Sequence, residues 1–153
     1  MKTARMTAGL ALALGLSLPA AAGEVGRVGV DWVGNDIVIE AFADPEVQGV
    51  TCHIAYFERS TYDRLTQGNW FEDPSYSAVD CVQTGPIVLG KGVSTAAKGE
   101  TVFSERQSLI LKSLKVTRIV DSRNNALIYL AHASELAEGS GKMSISVIPL
   151  SAP

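Results

Sequence analysis

Residues 49–57, GVTCHIAYF, alternate apolar and polar side chains with the two-residue period of a β-strand. One strand face would carry four of these residues: Val50, Cys52, Ile54 and Tyr56. His53 would lie on the opposite face, so the thiol and the imidazole point apart. Adjacent strand residues cannot easily converge on one substrate atom or one metal ion. The neighbouring Cys52 and His53 therefore predict a core-facing cysteine beside a surface histidine.

The first 22 residues have the pattern of a secretory signal peptide. Lys2 and Arg5 form a charged start, a short apolar run spans residues 10–18, and Ala20–Ala22 supply the small residues of a cleavage site. That run is shorter than the roughly 20 residues that a membrane-spanning helix needs, and no later stretch is apolar for long enough. We therefore expect cleavage after Ala22, export, and a single domain over residues 23–153.

The two cysteines of the chain, Cys52 and Cys81, are expected to form a disulfide. An even pair in a small exported domain is most simply a structural bond, because the compartment is oxidising. The C-x-x-C spacing of many redox-active pairs is absent.

The charge of the processed chain argues against nucleic acid or anionic membrane as partners. Loss of Lys2 and Arg5 lowers the number of basic residues from 13 to 11, against 16 acidic residues, which gives a net charge of −5. No basic run stands out in this acidic chain, so the electrostatic footprint of those partners is missing.

Most of the remaining chain has the period or the composition of strands. We expect extended segments at residues 28–32, 37–41, 52–57, 79–89, 101–105, 109–111, 116–121, 126–132 and 143–150. Val28, Val30 and Trp32 would share one face of a first hairpin that turns at Gly34–Asn35. A short helix is expected from Thr61 to Gln67, ended by Gly68. About eight short strands with at most short helices predict a mainly β domain, an antiparallel β-sandwich or a small open barrel.

Three blocks of the sequence resemble the CreA family of exported bacterial proteins. They are IVIEAFADPEVQGVTCHIAY (37–56), VDCVQTGPIVL (79–89) and SLILKSLKVTRIVDSRNNALIYLAHASELAEGS (108–140). The resemblance implies a soluble periplasmic protein of a Gram-negative bacterium, in a family named for catabolite regulation that has no established activity or catalytic residues. Between residues 57 and 77 this chain departs from the Gly-rich pattern of relatives, so a partner set by that segment would differ.

Four aromatic residues lie in the polar, aperiodic segment at 58–77: Tyr62, Trp70, Phe71 and Tyr76. Aromatic side chains in loops are favoured anchors for partners. They also bury large areas, so the same four residues would serve equally to close one end of the β-core. Both interpretations stay open at this point.

The other polar groups give weaker signals. His53 and His132 lack the further ligands of a zinc site, so no metal is expected. No G-x-S-x-G motif of a serine hydrolase occurs. No other cofactor is expected. The carboxylates Glu40, Asp44 and Glu46 are interpreted as a solvated turn because they are too few for a calcium loop. The basic residues of the later hairpin are interpreted as a solvated strand face: Lys112, Lys115, Arg118 and Arg123.

These patterns favour a non-enzymatic periplasmic accessory or binding protein that presents residues 58–77 to a periplasmic protein or an envelope component. A link to envelope signalling or catabolite regulation is implied by the family alone. Two alternatives remain. One is a small hydrolase whose Ser, His and acidic residues are dispersed in sequence. The other is a carrier that binds a small apolar ligand between its sheets.

Overall fold

Eight strands and one short helix make up the part of the protein that the structure describes. The computed structural model describes residues 22–32, 34–67, 76–106, 113–133 and 143–150, without the side chains of Arg64, Gln67 and Arg106. The elements in chain order are β1 Gly23–Gly29, β2 Asp36–Ala43, β3 Val47–Glu58, α1 Thr61–Gln67, β4 Ser77–Leu89, β5 Glu100–Arg106, β6 Ser113–Asp121, β7 Ala126–Ala133 and β8 Ser144–Pro149.

Each strand pairs antiparallel with the strand next to it in the chain, so the fold consists of two meanders. The first sheet has the order β1-β2-β3-β4, and the second has the order β5-β6-β7-β8. The sheets share one core and do not close into a barrel, which confirms the predicted antiparallel β class in its sandwich form. The short β2–β3 and β6–β7 connections favour this order, because a tight turn can join only antiparallel neighbours.

The core is built from the inward side of each alternation. Buried apolar residues come from both sheets: Val38, Phe42, Val50, Ile54, Tyr56, Val79, Phe103, Leu114, Val116, Leu127, Tyr129, Ala131 and Ile148. Ile54, Leu114 and Leu127 have no exposed surface. Burial of such a side chain favours folding by roughly 1.5–3 kcal/mol.

Strand β3 shows the alternation that its sequence predicts. Val50, Cys52, Ile54 and Tyr56 are buried, whereas His53 is exposed. Cys52 lies directly opposite Cys81 of β4 in the strand register, and the two form a disulfide whose Cα atoms are 3.9 Å apart. The predicted Cys52–Cys81 bond is therefore confirmed. It joins β3 to β4, the two strands that flank α1 in the chain.

Serine hydroxyl groups of β8 bind the outer edge of β4 and close one side of the sandwich. The N–H of Val79 donates to Oγ of Ser144, and the N–H of Cys81 donates to Oγ of Ser146, both at 2.9 Å. Side chains thus replace main-chain pairing where the two sheets meet. On the opposite side, β1 and β5 are edge strands with one described neighbour each.

The first hairpin lies where the sequence predicts it, and the apolar residues of its first half are exposed. Trp32 is 92% exposed, and Val28 and Val30 are also exposed. They leave the core because β1 is an edge strand that ends at Gly29, three residues before Trp32. The turn itself is held by Asn35, whose N–H and side-chain amide donate to Asp31 at 3.0 and 2.7 Å.

Helix α1 occupies the residues that the sequence predicts. Oγ of Ser60 accepts the N–H of Asp63 at 3.2 Å and so caps the first turn. Oδ1 of Asn35 accepts the N–H of Ser60 at 3.0 Å, which ties the start of α1 to the first hairpin. The strand predicted at 109–111 lies outside the described residues.

We expect Cys52→Ala/Cys81→Ala to lower the free energy of unfolding by about 3–4 kcal/mol, because the bond closes a long loop in the unfolded chain. Urea unfolding followed by circular dichroism measures the change. His53→Ala is the control, since it alters the neighbour of Cys52 on the exposed face of β3. A loss below about 1 kcal/mol in the cysteine variant would contradict a structural role.

Candidate functional site

The described aromatic residues of the 58–77 segment lie on the surface. Tyr62 is 60% exposed and Tyr76 is 58% exposed. Leu65, one turn after Tyr62 on α1, is 67% exposed. Trp70 and Phe71 lie outside the described residues, so their share in a binding surface stays a prediction. The flanks of the segment thus present two tyrosines and a leucine to solvent, a surface hereafter called the aromatic surface.

The two histidines have different polar neighbours among the described side chains. His53 lies on the exposed face of β3, opposite Asp80, whose Oδ1 accepts the hydroxyl of Ser146 at 3.2 Å. Nδ1 of His132 lies 2.8 Å from the carbonyl of Ala133, which can only accept, so Nδ1 carries the proton. Nε2 then accepts the hydroxyl of Thr117 at 2.9 Å. The arrangement is a cross-strand hydrogen bond in which no carboxylate orients the imidazole.

No metal centre is formed by the described residues, where no three His, Cys, Asp or Glu side chains are grouped to hold an ion. In the same part of the chain, no helix is long and apolar enough to cross a membrane.

Arg118 and Asp44 are buried, which corrects two predictions. The sequence predicts Arg118 on a solvated strand face and Asp44 in a solvated turn. In the structure only 1% of Arg118 and 6% of Asp44 is exposed. The guanidinium of Arg118 forms one ion pair with Asp44 and another with Glu100. A pair of charges this deep is stable only because further hydrogen bonds satisfy it.

The carboxylate of Asp44 has three sets of partners: Arg118, the N–H groups of the β2–β3 turn, and Tyr129. Its Oδ1 accepts the N–H groups of Glu46 and Val47 at 2.9 and 3.0 Å, which folds the β2–β3 turn back onto the side chain. Its Oδ2 accepts the hydroxyl of Tyr129 at 2.8 Å. Burial, and then the charge of Asp44, raise the pKa of Tyr129, so the phenol remains a donor. The network links the first sheet to β6 and β7 of the second.

Glu100 completes the network from β5. The N–H of Ser94 donates to its Oε2 at 2.9 Å. That hydrogen bond, followed by the guanidinium of Arg118, lowers the pKa of the carboxyl group. Gly99 precedes it with φ of 66°, a conformation in which a side chain would strain the backbone. The Nε of Arg118 has no hydrogen-bond partner among the described residues.

The alternation of residues around Arg118 predicts its burial. Residues 114–120 read LKVTRIV, so Leu114, Val116 and Arg118 share one strand face. The same alternation that places Leu114 in the core places Arg118 there. Grouping Arg118 with other basic residues by proximity in sequence gave the wrong prediction. Of the others, Lys115 is half-buried, Arg123 is exposed and Lys112 lies outside the described residues.

A second group of polar side chains lies between the sheets beyond a stacked aromatic pair. The rings of Phe42 and Phe103 are 4.7 Å apart. Glu40 precedes Phe42 by two residues and Glu105 follows Phe103 by two, so each carboxylate shares the face of its phenylalanine. Burial, and then the charges of Glu40 and Glu58, raise the pKa of Glu105.

A cleft opens beside the aromatic pair. Its volume is about 250 Å³, and it is lined by Ala22, Phe42, Ala43, Pro45, Val102, Phe103, Ser104 and Glu105. Pockets that enclose small ligands usually measure about 300–1,000 Å³. This cleft is smaller and open to solvent, which does not favour the carrier interpretation.

Comparison with known proteins points to one family. The family model described as CreA protein matches residues 25–153. Protein CreA of Escherichia coli strain K12 is 43% identical over 122 residues, which cover 77% of this chain and 76% of that protein. Protein CreA of Escherichia coli O6:H1 and of Escherichia coli O157:H7 match with the same identity and coverage. No solved structure matches the chain.

We expect Asp44→Asn to lower the free energy of unfolding by about 3–5 kcal/mol, because it removes one anion from a buried pair. Glu100→Gln is the comparison, and it should cost less because the side chain of Glu100 is 35% exposed. Urea unfolding at several pH values measures both. Equal losses would contradict a network centred on Asp44.

The pH dependence tests the contribution of Glu100 separately. Its pKa is lower in the folded protein, so the stability that it adds is complete above the pKa of the unfolded chain, near 4.3. That contribution is lost as the pH falls through the lower, folded pKa. The difference between wild type and Glu100→Gln should therefore shrink in acid.

Proposed function

The chain belongs to the CreA protein family, and we propose that it is an exported, non-enzymatic accessory protein that binds a partner in the periplasm of a Gram-negative bacterium. The observation that carries the proposal is the exposure of the aromatic surface formed by Tyr62, Leu65 and Tyr76. Tyrosine is enriched among the residues that dominate binding energy, because it supplies a large apolar area together with a hydroxyl group.

Described contacts tie the start of α1, which carries Tyr62 and Leu65, to the rest of the protein. The segment that carries it connects β3 to β4, and the Cys52–Cys81 bond joins those two strands. Arg59 pairs with Asp63 at 3.0 Å across the first turn of α1. A surface ordered in advance loses less conformational entropy on binding, so more of the contact energy becomes affinity.

Two other interpretations receive less support from the geometry. The hydrolase requires a histidine within reach of a hydroxyl group and a carboxylate in a cleft. His132 reaches Thr117 but is oriented by the Ala133 carbonyl. His53 lies opposite Asp80, but on the exposed face of β3 and outside the residues that line the described cleft. The carrier requires a larger enclosed cavity than the one beside Phe42 and Phe103. We therefore favour recognition of a partner over catalysis or transport.

Export is part of the proposal and has its own test. We expect the protein to be recovered from the periplasmic fraction of its host with Gly23 as its first residue, as measured by intact mass and N-terminal sequencing. Ala20→Lys should block cleavage because the position needs a small residue, whereas Ala4→Lys, in the charged start, should leave cleavage unchanged. A full-length cytoplasmic chain would contradict export.

Partner binding can be tested by photo-crosslinking in the native host. We expect a photoreactive benzoylphenylalanine at position 62 or 76 to give one discrete adduct of higher mass, because Tyr62 and Tyr76 are exposed. The matched control is the same residue at position 28, since Val28 is also exposed but lies on β1.

The adduct should disappear when Leu65→Asp is added to the position 62 variant, which should remain folded because Leu65 is exposed. Equal adducts at positions 28, 62 and 76, or none at 62 and 76, would contradict the proposed surface.

A further inference from the structure

The two sides of the sandwich differ in how their strand edges are satisfied. Serine hydroxyl groups of β8 occupy the edge of β4. On the other side, β1 and β5 each pair with a single described strand. Edge strands of this kind offer main-chain N–H and C=O groups to another extended chain. The region between β2 and β5, with its cleft, is hereafter called the open seam.

Apolar contact at the open seam comes from the stacked rings of Phe42 and Phe103 and from the walls that Val102 and Pro45 add to the cleft. The volume of about 250 Å³ is too small for most ligands of drug size but accepts one apolar side chain. Part of the wall is Ala22, the last residue of the expected signal peptide, so cleavage there would widen the opening.

Negative charge next to the cleft is not fully compensated. Among the described side chains, the guanidinium of Arg27 already pairs with Glu24, Asp36 and Glu58. Glu40 receives only the hydroxyl of Tyr56, at 2.9 Å on Oε1. Its Oε2 is buried without a hydrogen-bond partner among the described residues.

Glu105 is half-buried and forms no ion pair with another described side chain. Its raised pKa reflects burial first and the charges of Glu40 and Glu58 next. Glu40 and Glu105 each lie two residues along their strands from the stacked phenylalanines, are partly buried, and form no ion pair with another described side chain. Such a pair of carboxylates is complementary to a cation supplied by a partner.

We propose that the open seam binds an extended peptide segment of a partner protein in which a lysine or arginine lies two residues from an apolar side chain. The apolar side chain enters the cleft beside Phe103, and the cation lies between Glu40 and Glu105. This site is separate from the aromatic surface and goes beyond the proposed function.

The spacing follows from strand geometry. Phe103 and Glu105 lie on the same face of β5, and residues two apart on a strand are about 6.5–7 Å apart. A peptide that runs along β5 has the same period, so its cationic and apolar side chains must also be two positions apart. The bulge between Thr101 and Phe103 leaves Phe103–Arg106 as the regular stretch for pairing.

The test uses the capped peptide Ser-Val-Thr-Lys-Thr-Val-Ser, which places an apolar residue two positions from lysine in either direction. Its isomer Ser-Thr-Val-Lys-Val-Thr-Ser has the same composition with the apolar residues adjacent to lysine. Calorimetric titration of the processed protein should show the first peptide binding at least about tenfold more tightly than the isomer and than an acetyl-lysine form, because a partly buried charge pair is worth about that factor.

Glu105→Gln should weaken binding of the first peptide by at least about tenfold. Asp80→Asn, which changes an exposed acid on β4 at the closed side, should leave binding unchanged. Absence of binding at about 1 mM peptide, equal affinity for the two isomers, or an unchanged affinity in Glu105→Gln would overturn the proposal.

Unfolding measurements distinguish a lost site from a damaged fold. The folded pKa of Glu105 is raised, so its ionisation opposes folding above that pKa, and the opposition vanishes below the pKa of the unfolded chain. Glu105→Gln should therefore unfold at a higher urea concentration than wild type at pH 7 and at the same concentration near pH 3. A variant that is less stable at pH 7 would show that Glu105 supports the fold instead.

Discussion

The ion pair between Arg118 and Asp44 is the constraint on which the packing of the two sheets depends. It lies at the end of the aromatic stack formed by Phe42 and Phe103 and joins the β2–β3 turn to the centre of the second sheet. Apolar side chains pack with many partners, whereas a buried guanidinium accepts few arrangements, because each charge must meet its counterpart. The network therefore fixes how the sheets face each other, and the open seam and the aromatic surface inherit that geometry.

The two seams of the sandwich serve different purposes in this interpretation. Ser144 and Ser146 bind the β4 edge with side-chain oxygens, so the N–H groups of Val79 and Cys81 are already satisfied there. By contrast, β1 contains glycines, β5 contains charged residues, and a cleft lies between β2 and β5. Polar groups that a structure leaves without partners reduce its stability, and at the open seam the buried Oε2 of Glu40 is such a group among the described residues.

Local patterns predicted much of the fold and little of the site. Alternation placed Cys52 in the core and His53 on the surface, and Gly68 marked the end of α1, because these signals act over a few residues. The exposure of Trp32 was not predicted, because alternation cannot tell an edge strand from a covered one. The prediction that Asp44 is solvated was wrong because its partner Arg118 lies 74 positions away in the chain. No local pattern reports a contact at that separation.

The meander order of both sheets has a consequence for how the chain acquires its structure. Every strand pair joins neighbours in sequence, so each hairpin can form as soon as its second strand is available. Chains with such local contacts fold faster than those that must first bring distant strands together. The Asp44–Arg118 pair joins residues 74 positions apart, one from each meander, so it can form only when both are present. A chain that crosses a membrane unfolded and in order, from its first residue to its last, could therefore complete its first sheet while the second is still emerging.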